Sequence, residues 1–346
     1  MFKKIKPIIN LIQLGQIDLL WYKIKNKLKI KKNLAPLPET LILEPTNVCT
    51  MKCPTCPTGS GKLNRPKGMM SLENYKNTID QLRGYTKKLV LFNYGEPFMH
   101  PEIIEMIKYA KEAGLYIKTS TNGEFFKDEK FCQDLIMSGL DYLIICLDGA
   151  DDETLKKFRV NTNFEHIIKS FQTIINLKKQ LRSPTPIIEL QFILMKHNEH
   201  QREKMKQIAA ELMVDVYAEK TAGIDINDSD FQKMAAELLP SDASLTRYEK
   251  MADGTFKLKG EIPNFCSQVL SSMVINCDGN VVPCCYDLYS NYIMGNVCQE
   301  KIKNIWHGKK YKNFRKEIFK ERKNIAMCNI CSEGRYLATN KENINV

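Results

Sequence analysis

Between residues 39 and 224 the sequence alternates between short apolar runs and longer amphipathic segments. The apolar runs are Thr40–Leu43, Leu89–Phe92, Tyr116–Ser120, Tyr142–Leu147, Ile187–Leu194 and Val214–Ala218. Between them lie 71–83, 101–113, 127–138, 164–181 and 198–213, each long enough for a helix. Strands that alternate with helices of this length predict βαβ units and a parallel sheet. Six strands fall short of the eight of a closed TIM barrel. The expected fold class is therefore α/β, an open, partial (β/α)6 barrel over residues 39–224. Residues 225–262 lose the alternation and read as a linker with a short helix. Residues 263–346 read as a small cysteine-rich unit, with Asp278-Gly279 as a hairpin turn between two apolar runs and a basic helical stretch, Ile302–Lys323, leading to a terminal Cys-Asn-Ile-Cys.

Residues 1–38 stand apart as a basic amphipathic N-terminal segment. Residues 1–33 hold nine Lys and one acid, Asp18, with Ile8, Ile9, Leu11, Ile12, Leu19, Leu20, Trp21, Ile24 and Leu28 near helical spacing. Such a segment packs on the domain behind it or lies on an anionic membrane surface; RNA contact is a third use. No run of about 18 apolar residues could span a bilayer, and no small-residue cleavage site follows the apolar stretch. The expected compartment is the cytoplasm, with peripheral membrane contact through residues 1–33 as an option. The net charge of +11 is uneven: residues 1–33 and 301–346 each carry +8, and residues 34–300 carry −5. The basicity thus marks docking surfaces for membrane, partner or electron donor, rather than a polyanion-binding active site. An RNA-directed binding protein is the competing class, but no RRM, KH or OB signature is present, and no specific nucleic acid partner is expected.

In a reducing compartment clustered cysteines suggest metal rather than disulfides. Three of the 12 cysteines, Cys49, Cys53 and Cys56, fall in Glu-Pro-Thr-Asn-Val-Cys-Thr-Met-Lys-Cys-Pro-Thr-Cys-Pro, directly after the first predicted strand. Thiolates suit zinc or iron–sulfur clusters. Structural zinc takes four ligands in two pairs. Three close cysteines without a local fourth ligand instead suit three irons of a [4Fe–4S] cube, whose fourth iron stays open to a small molecule.

This C-x3-C-x2-C loop after the first strand of a partial barrel resembles the radical S-adenosylmethionine (SAM) superfamily. The resemblance implies that the amino and carboxylate groups of SAM chelate the open iron, and that SAM is cleaved reductively to a 5′-deoxyadenosyl radical that abstracts a substrate hydrogen. Further residues carry the likeness. Tyr94-Gly95-Glu96-Pro97 stands where the family has Gly-Gly-Glu-Pro, with Glu96 as an acceptor for the SAM ammonium and Gly95 allowing close backbone approach. Ser120-Thr121-Asn122-Gly123 ends the third strand and places Ser120 or Asn122 near SAM. Asp148, in Leu147-Asp148-Gly149, and Arg159, in Lys156-Lys157-Phe158-Arg159-Val160, fall at family positions, and Gln191 lies on the following strand. Thr55 stands where the family has an aromatic residue that serves adenine through its backbone, and Tyr94 replaces the first glycine. Neither departure touches a cluster ligand.

A second constellation, Cys266-x12-Gly279-x4-Cys284 with Cys328-x2-Cys331 downstream, resembles the SPASM domain of the same superfamily. The full pattern continues with more cysteines and holds two clusters. Here four ligands remain, which resembles the shorter twitch form and implies one fully ligated auxiliary [4Fe–4S] cluster; a structural zinc is the alternative. Cys277 and Cys285 neighbour a ligand and could substitute for one, while Cys132 and Cys146 read as core thiols. By analogy with twitch dehydrogenases, the implied reaction is oxidation of a C–H or carbinol in a sugar, cyclitol or glycan precursor, a radical SAM oxidoreductase with the auxiliary cluster as electron acceptor. The alternative is a maturase that crosslinks or oxidises a ribosomal peptide. The substrate is thus a small molecule or a peptide, and the electron donor an external protein such as flavodoxin or ferredoxin.

Overall fold

The computed structural model describes residues 36–126, 128–332 and, as backbone, 339–343. The basic segment 1–33 and its proposed membrane contact lie outside the described residues. Six parallel strands follow one another in chain order: β1 (Thr40–Leu43), β2 (Lys88–Val90), β3 (Tyr116–Thr121), β4 (Tyr142–Cys146), β5 (Ile187–Leu194) and β6 (Val216–Thr221). Helices Leu72–Leu82, Ile103–Glu112, Glu129–Met137, Phe164–Gln180 and Arg202–Leu212 join them. This is the expected α/β partial barrel.

The helices start where the sequence offers caps. The side chains of Ser71, Asp128 and Asn163 accept from the backbone N–H groups of Asn74, Lys130 and His166, each cap contributing about 1 kcal/mol. Tyr75, Ile79 and Leu82 recur at helical spacing and are buried on one face of the first helix, which is the periodicity that fixes it on the sheet.

The last barrel strand starts two residues later than its apolar run suggests. Met213 takes a left-handed conformation (φ 59°) that ends the preceding helix, and pairing begins at Val216 opposite Glu189. The strand then runs through Glu219, Lys220 and Thr221. Glu219 is buried because Arg202 pairs with it, Nη2 to Oε2 at 2.7 Å, so a polar sequence occupies an interior strand.

The cysteine-rich C-terminal part joins the same sheet. β9 (Ser272–Ile275) pairs in parallel with β1, Leu41 opposite Met273, and turns at Asp278-Gly279 into antiparallel β10 (Asn280–Val282). Gly279 has φ +82°, a conformation that favours glycine, so the hairpin forms where expected. β11 (Gly295–Asn296) closes this edge, and β12 (Thr339–Asn343) pairs antiparallel with β6 at the other.

Residues 225–262 are more than a linker with a short helix. They form the helix Ser229–Leu238 and a two-stranded hairpin, β7 (Tyr248–Lys250) and β8 (Phe256–Leu258). Phe231, Ala235, Tyr248 and Leu258 are buried together with Met51, Cys53 and Phe158. This segment thereby supplies a second hydrophobic cluster that closes over the cysteine loop. Among the described residues no helix is long and apolar enough to cross a membrane.

Candidate active site

The loops at the C-terminal ends of the strands enclose a cavity of about 610 Å³, where barrel active sites form. Cys49, Cys53 and Cys56 line it, together with Thr55, Tyr94, Gly95, Glu96, Ser120, Asn122, Cys146 and Arg159. Burial pushes the Cys53 thiol up to about 11 and raises that of Cys49, while the Arg159 guanidinium pulls both down. A nearby fixed cation is what an anionic thiolate cluster needs in a partly buried site. Asn122 Nδ2 and the Met51 N–H also point at Cys49 Sγ, at 4.0 and 3.4 Å.

Gly95 makes the loop geometry feasible. Its φ is +80°, and a Cβ there would stand 2.3 Å from the Thr46 carbonyl oxygen. The close approach is thus to the cysteine loop itself. Glu96 follows, fully enclosed, and accepts from the backbone N–H of Asn122 at 2.8 Å and of Phe98 at 3.2 Å. These bonds lower its pKa, but burial outweighs them and raises it to about 7.

Asp148, Gln191 and Pro97 do not line the cavity. Asp148 is fully buried and holds Arg159, accepting from its Nε at 2.6 Å and from the Ile193 N–H at 2.7 Å. Its place is behind the site, aiming Arg159 and tying β4 to β5. Gln191 Nε2 reaches Cys146 Sγ at 3.5 Å, and Pro97 starts a short 3-10 turn capped by Glu96. Cys146, read from sequence as a core thiol, faces the cavity, with Ser120 Oγ 3.7 Å from its sulfur.

The second cysteine group converges as the spacing implies, with one addition. Cys266, Cys284, Cys328 and Cys331 gather with Cys285 within mutual electrostatic range. The Cys284 and Cys285 thiols are hydrogen-bonded to each other, which raises Cys284 and lowers Cys285. Cys285 also lines the cavity. Cys277 sits apart: its thiol, pushed up to about 12 by burial and by Glu44, lies beside the Glu44–Arg65 pair. The pairing of Glu44 was invisible in sequence, as was Arg322. Arg322 is 1% exposed; its Nη2 donates to Cys331 Sγ at 3.2 Å and its Nη1 to the Phe265 carbonyl at 2.8 Å.

Both groups fit iron–sulfur clusters by donor chemistry: soft thiols only, each group beside a buried guanidinium that offsets cluster charge. Among the described residues no three His, Cys, Asp or Glu side chains close on a single metal ion. A cubane, whose ligands bind different irons, spreads its thiolates wider than one ion does.

One residue joins the two groups. Tyr94, where the family has glycine, sends its hydroxyl to the Cys285 carbonyl at 3.2 Å, while its own N–H donates to Glu44 Oε2 at 3.2 Å.

Comparison with known proteins agrees with this geometry. The radical SAM superfamily model matches residues 43–180, and the model of the SPASM iron–sulfur cluster-binding domain matches residues 266–332. The chain is 30% identical over 122 residues to an AdoMet-dependent heme synthase of Methanosarcina barkeri, covering 35% of this chain and 34% of that protein. It thus spans about a third of the length of the first curated relatives it matches. A tungsten-containing aldehyde ferredoxin oxidoreductase cofactor-modifying protein of Pyrococcus furiosus is 25% identical over 80% of this chain and 82% of its own length. In fold, the chain is similar to Streptococcus suis SuiB bound to S-adenosylmethionine, with a TM-score of 0.63 and 16% identity over 97% of this chain and 84% of SuiB. Its cofactors are accordingly SAM and a [4Fe–4S] cluster in the barrel and an auxiliary iron–sulfur cluster in the C-terminal part. With both family models matched in order, the three barrel cysteines lining the cavity and the C-terminal cysteines gathered with Cys285 at its wall, this chain belongs to the radical SAM superfamily and carries a SPASM-type C-terminal domain.

Proposed function

We propose that this chain is a radical SAM oxidoreductase that oxidises a substrate C–H, in its leading form a carbinol of a sugar, cyclitol or glycan precursor that becomes a ketone. The observation that carries the reading is that Cys49, Cys53 and Cys56 line the same cavity as Cys285 of the auxiliary group. When bound, the cofactors supply a 5′-deoxyadenosyl radical at one end and a one-electron acceptor at the other. A carbinol that loses a hydrogen atom, then its hydroxyl proton and one electron, becomes a ketone. The chain's own residues hold the parts in place: Cys49, Cys53 and Cys56 would ligate the first cluster, Cys266, Cys284, Cys328 and Cys331 the second. Glu96 would accept from the SAM amino group, Thr55 would serve the adenine through its backbone, and Asn122, Ser120 and Arg159 would line the SAM pocket. The buried cluster formed by residues 225–262 keeps water from the radical. A peptide C–H oxidised by the same electron logic is the second reading, with the cavity open to either substrate.

The test is anaerobic reconstitution with iron and sulfide, followed by SAM and dithionite. About eight irons per chain and 5′-deoxyadenosine are expected from two [4Fe–4S] clusters. About four irons with one zinc would make the second site structural. Cys285→Ala is expected to keep all the iron and Cys284→Ala to lose about half; the reverse result would exchange the ligand.

SAM binding should depend on pH through Glu96. Its pKa is raised to about 7 by burial, so it is a neutral acid below that pH and a carboxylate above. The SAM amino group, an amine once it chelates iron, donates its N–H to the carboxylate and loses that anionic acceptor when Glu96 is protonated. Affinity is therefore expected to fall about tenfold per pH unit below 7 and to level off above it. Equilibrium dialysis of SAM between pH 5.5 and 7.5 reads this directly. A dissociation constant flat across that range would remove Glu96 from the SAM amino site.

A further inference from the structure

One wall of the cavity is built by Ala222–Asp225 after β6, by Arg247 and Tyr248 at the start of the hairpin, and by Cys285 and Tyr286; Ala222, Ile224 and Tyr248 pack with Met51 and Cys53 of the cysteine loop. Of the charged side chains lining the cavity, three are already committed. Glu96 takes two backbone N–H groups. Arg159 is paired with Asp148. Asp225 accepts from the Asn227 N–H and from the Tyr289 hydroxyl.

Arg247 differs. Its Nε donates to Thr221 Oγ1 at 2.8 Å, its Nη2 to the Thr221 carbonyl at 2.8 Å and its Nη1 to Ser332 Oγ at 3.0 Å. All three acceptors are uncharged, and among the described residues no carboxylate pairs with it. A guanidinium has five N–H donors, so one remains on each terminal nitrogen. The group is fixed in place by Thr221 at the end of β6 and by Ser332 beside the auxiliary cysteines, in a half-buried pocket. A held guanidinium with a donor left on each terminal nitrogen matches the two oxygens of a carboxylate. With one cation and two donors, it offers a phosphate dianion too little.

Resting on the hydrogen-abstraction reading above, the geometry points to a substrate that carries a carboxylate, clamped by Arg247 so that its oxidised carbon lies between the SAM site and the auxiliary group. The carboxylate can belong to a small acid or to an acidic side chain of a peptide. In either case Arg247 fixes which end of the substrate faces the auxiliary cysteines.

The test uses the full chain, reconstituted anaerobically and saturated with SAM, with dissociation constants read by titration calorimetry. The probes are glutarate against glutaramide, and a capped pentapeptide with one central Glu against the same peptide with Gln. One of the acids is expected to bind at least tenfold more tightly than its amide, and which one identifies the source of the carboxylate. Arg247→Gln should erase that preference, and Arg247→Lys should restore part of it. Unchanged iron content and thermal unfolding show that the variants are folded. Acids that bind no better than their amides, a preference that survives in Arg247→Gln, or binding of inorganic phosphate in place of both acids would overturn the assignment. Since these titrations need no turnover, they fail independently of 5′-deoxyadenosine formation, which tests the underlying reaction.

Discussion

Replacing Cys49, Cys53 and Cys56 together by alanine is expected to reduce 5′-deoxyadenosine formation to the level seen without enzyme. The iron content should fall from about eight to about four per chain. The three thiols share one loop and one cavity, and three thiolates are the minimum that holds a cube while one iron stays open for SAM. Each single substitution should come close to the triple, because a cluster with two protein ligands has no stable seat, and effects of residues that act as a unit do not add. Cys298 is the control: it is exposed and outside both groups, so Cys298→Ala should leave iron and product unchanged. Product formation by the triple variant at the wild-type rate would sink the central claim.

The grouping of the cysteines was legible in the sequence because three fall in one loop and the others follow a spaced pattern that the fold brings together. The barrel was legible for a related reason: β1 and β5 coincide with apolar runs, since strands buried on both faces admit little else. What sequence could not show lies where polarity and burial part company. Glu219 reads as the end of a strand, yet it is buried against Arg202. Asp148 carries a family position, but its work is to hold Arg159 from behind. Cys146 looks like filler on a strand and faces the cavity. The segment 225–262 seemed a linker because Asp, Asn, Ser and Gly break its periodicity. Its apolar residues, Phe231, Tyr248 and Leu258, meet only after the chain has turned twice. Arg247 and Arg322 sit in unremarkable sequence surroundings, and nothing local marks the first as a half-buried or the second as a buried cation. Each becomes visible only once the fold sets it beside Thr221 or Cys331.

Glu44→Ala should be among the most destabilising single changes in the chain, by about 3–5 kcal/mol in denaturant unfolding. Glu44 directly follows β1 and its side chain is 0% exposed; that of Arg65 is 5% exposed. The two form a bidentate pair, Nη1 to Oε1 at 2.8 Å and Nη2 to Oε2 at 2.9 Å. Breaking such a pair from one side leaves a buried charge with no counterion, which costs far more than the pair itself contributes. Glu44 is also a hub. It accepts from the Tyr94 N–H, in the SAM motif, and from the Cys277 N–H, at the turn of the auxiliary hairpin. Its removal therefore frees three segments at once: the end of the cysteine loop at Arg65, the residue before Gly95, and β9 where it meets β1. Iron should be retained less well at both cluster sites, which a purely local defect would not cause. The double variant Glu44→Leu with Arg65→Met separates the causes. With the orphaned charge gone, it should be less destabilised than the sum of the two single changes by more than about 1 kcal/mol. Iron retention should stay impaired, because the Tyr94 and Cys277 N–H groups still lack their acceptor. If Glu44→Ala unfolds at the wild-type denaturant concentration, the hub has no energetic role, and the two cysteine groups are held in register by the β1–β9 pairing alone.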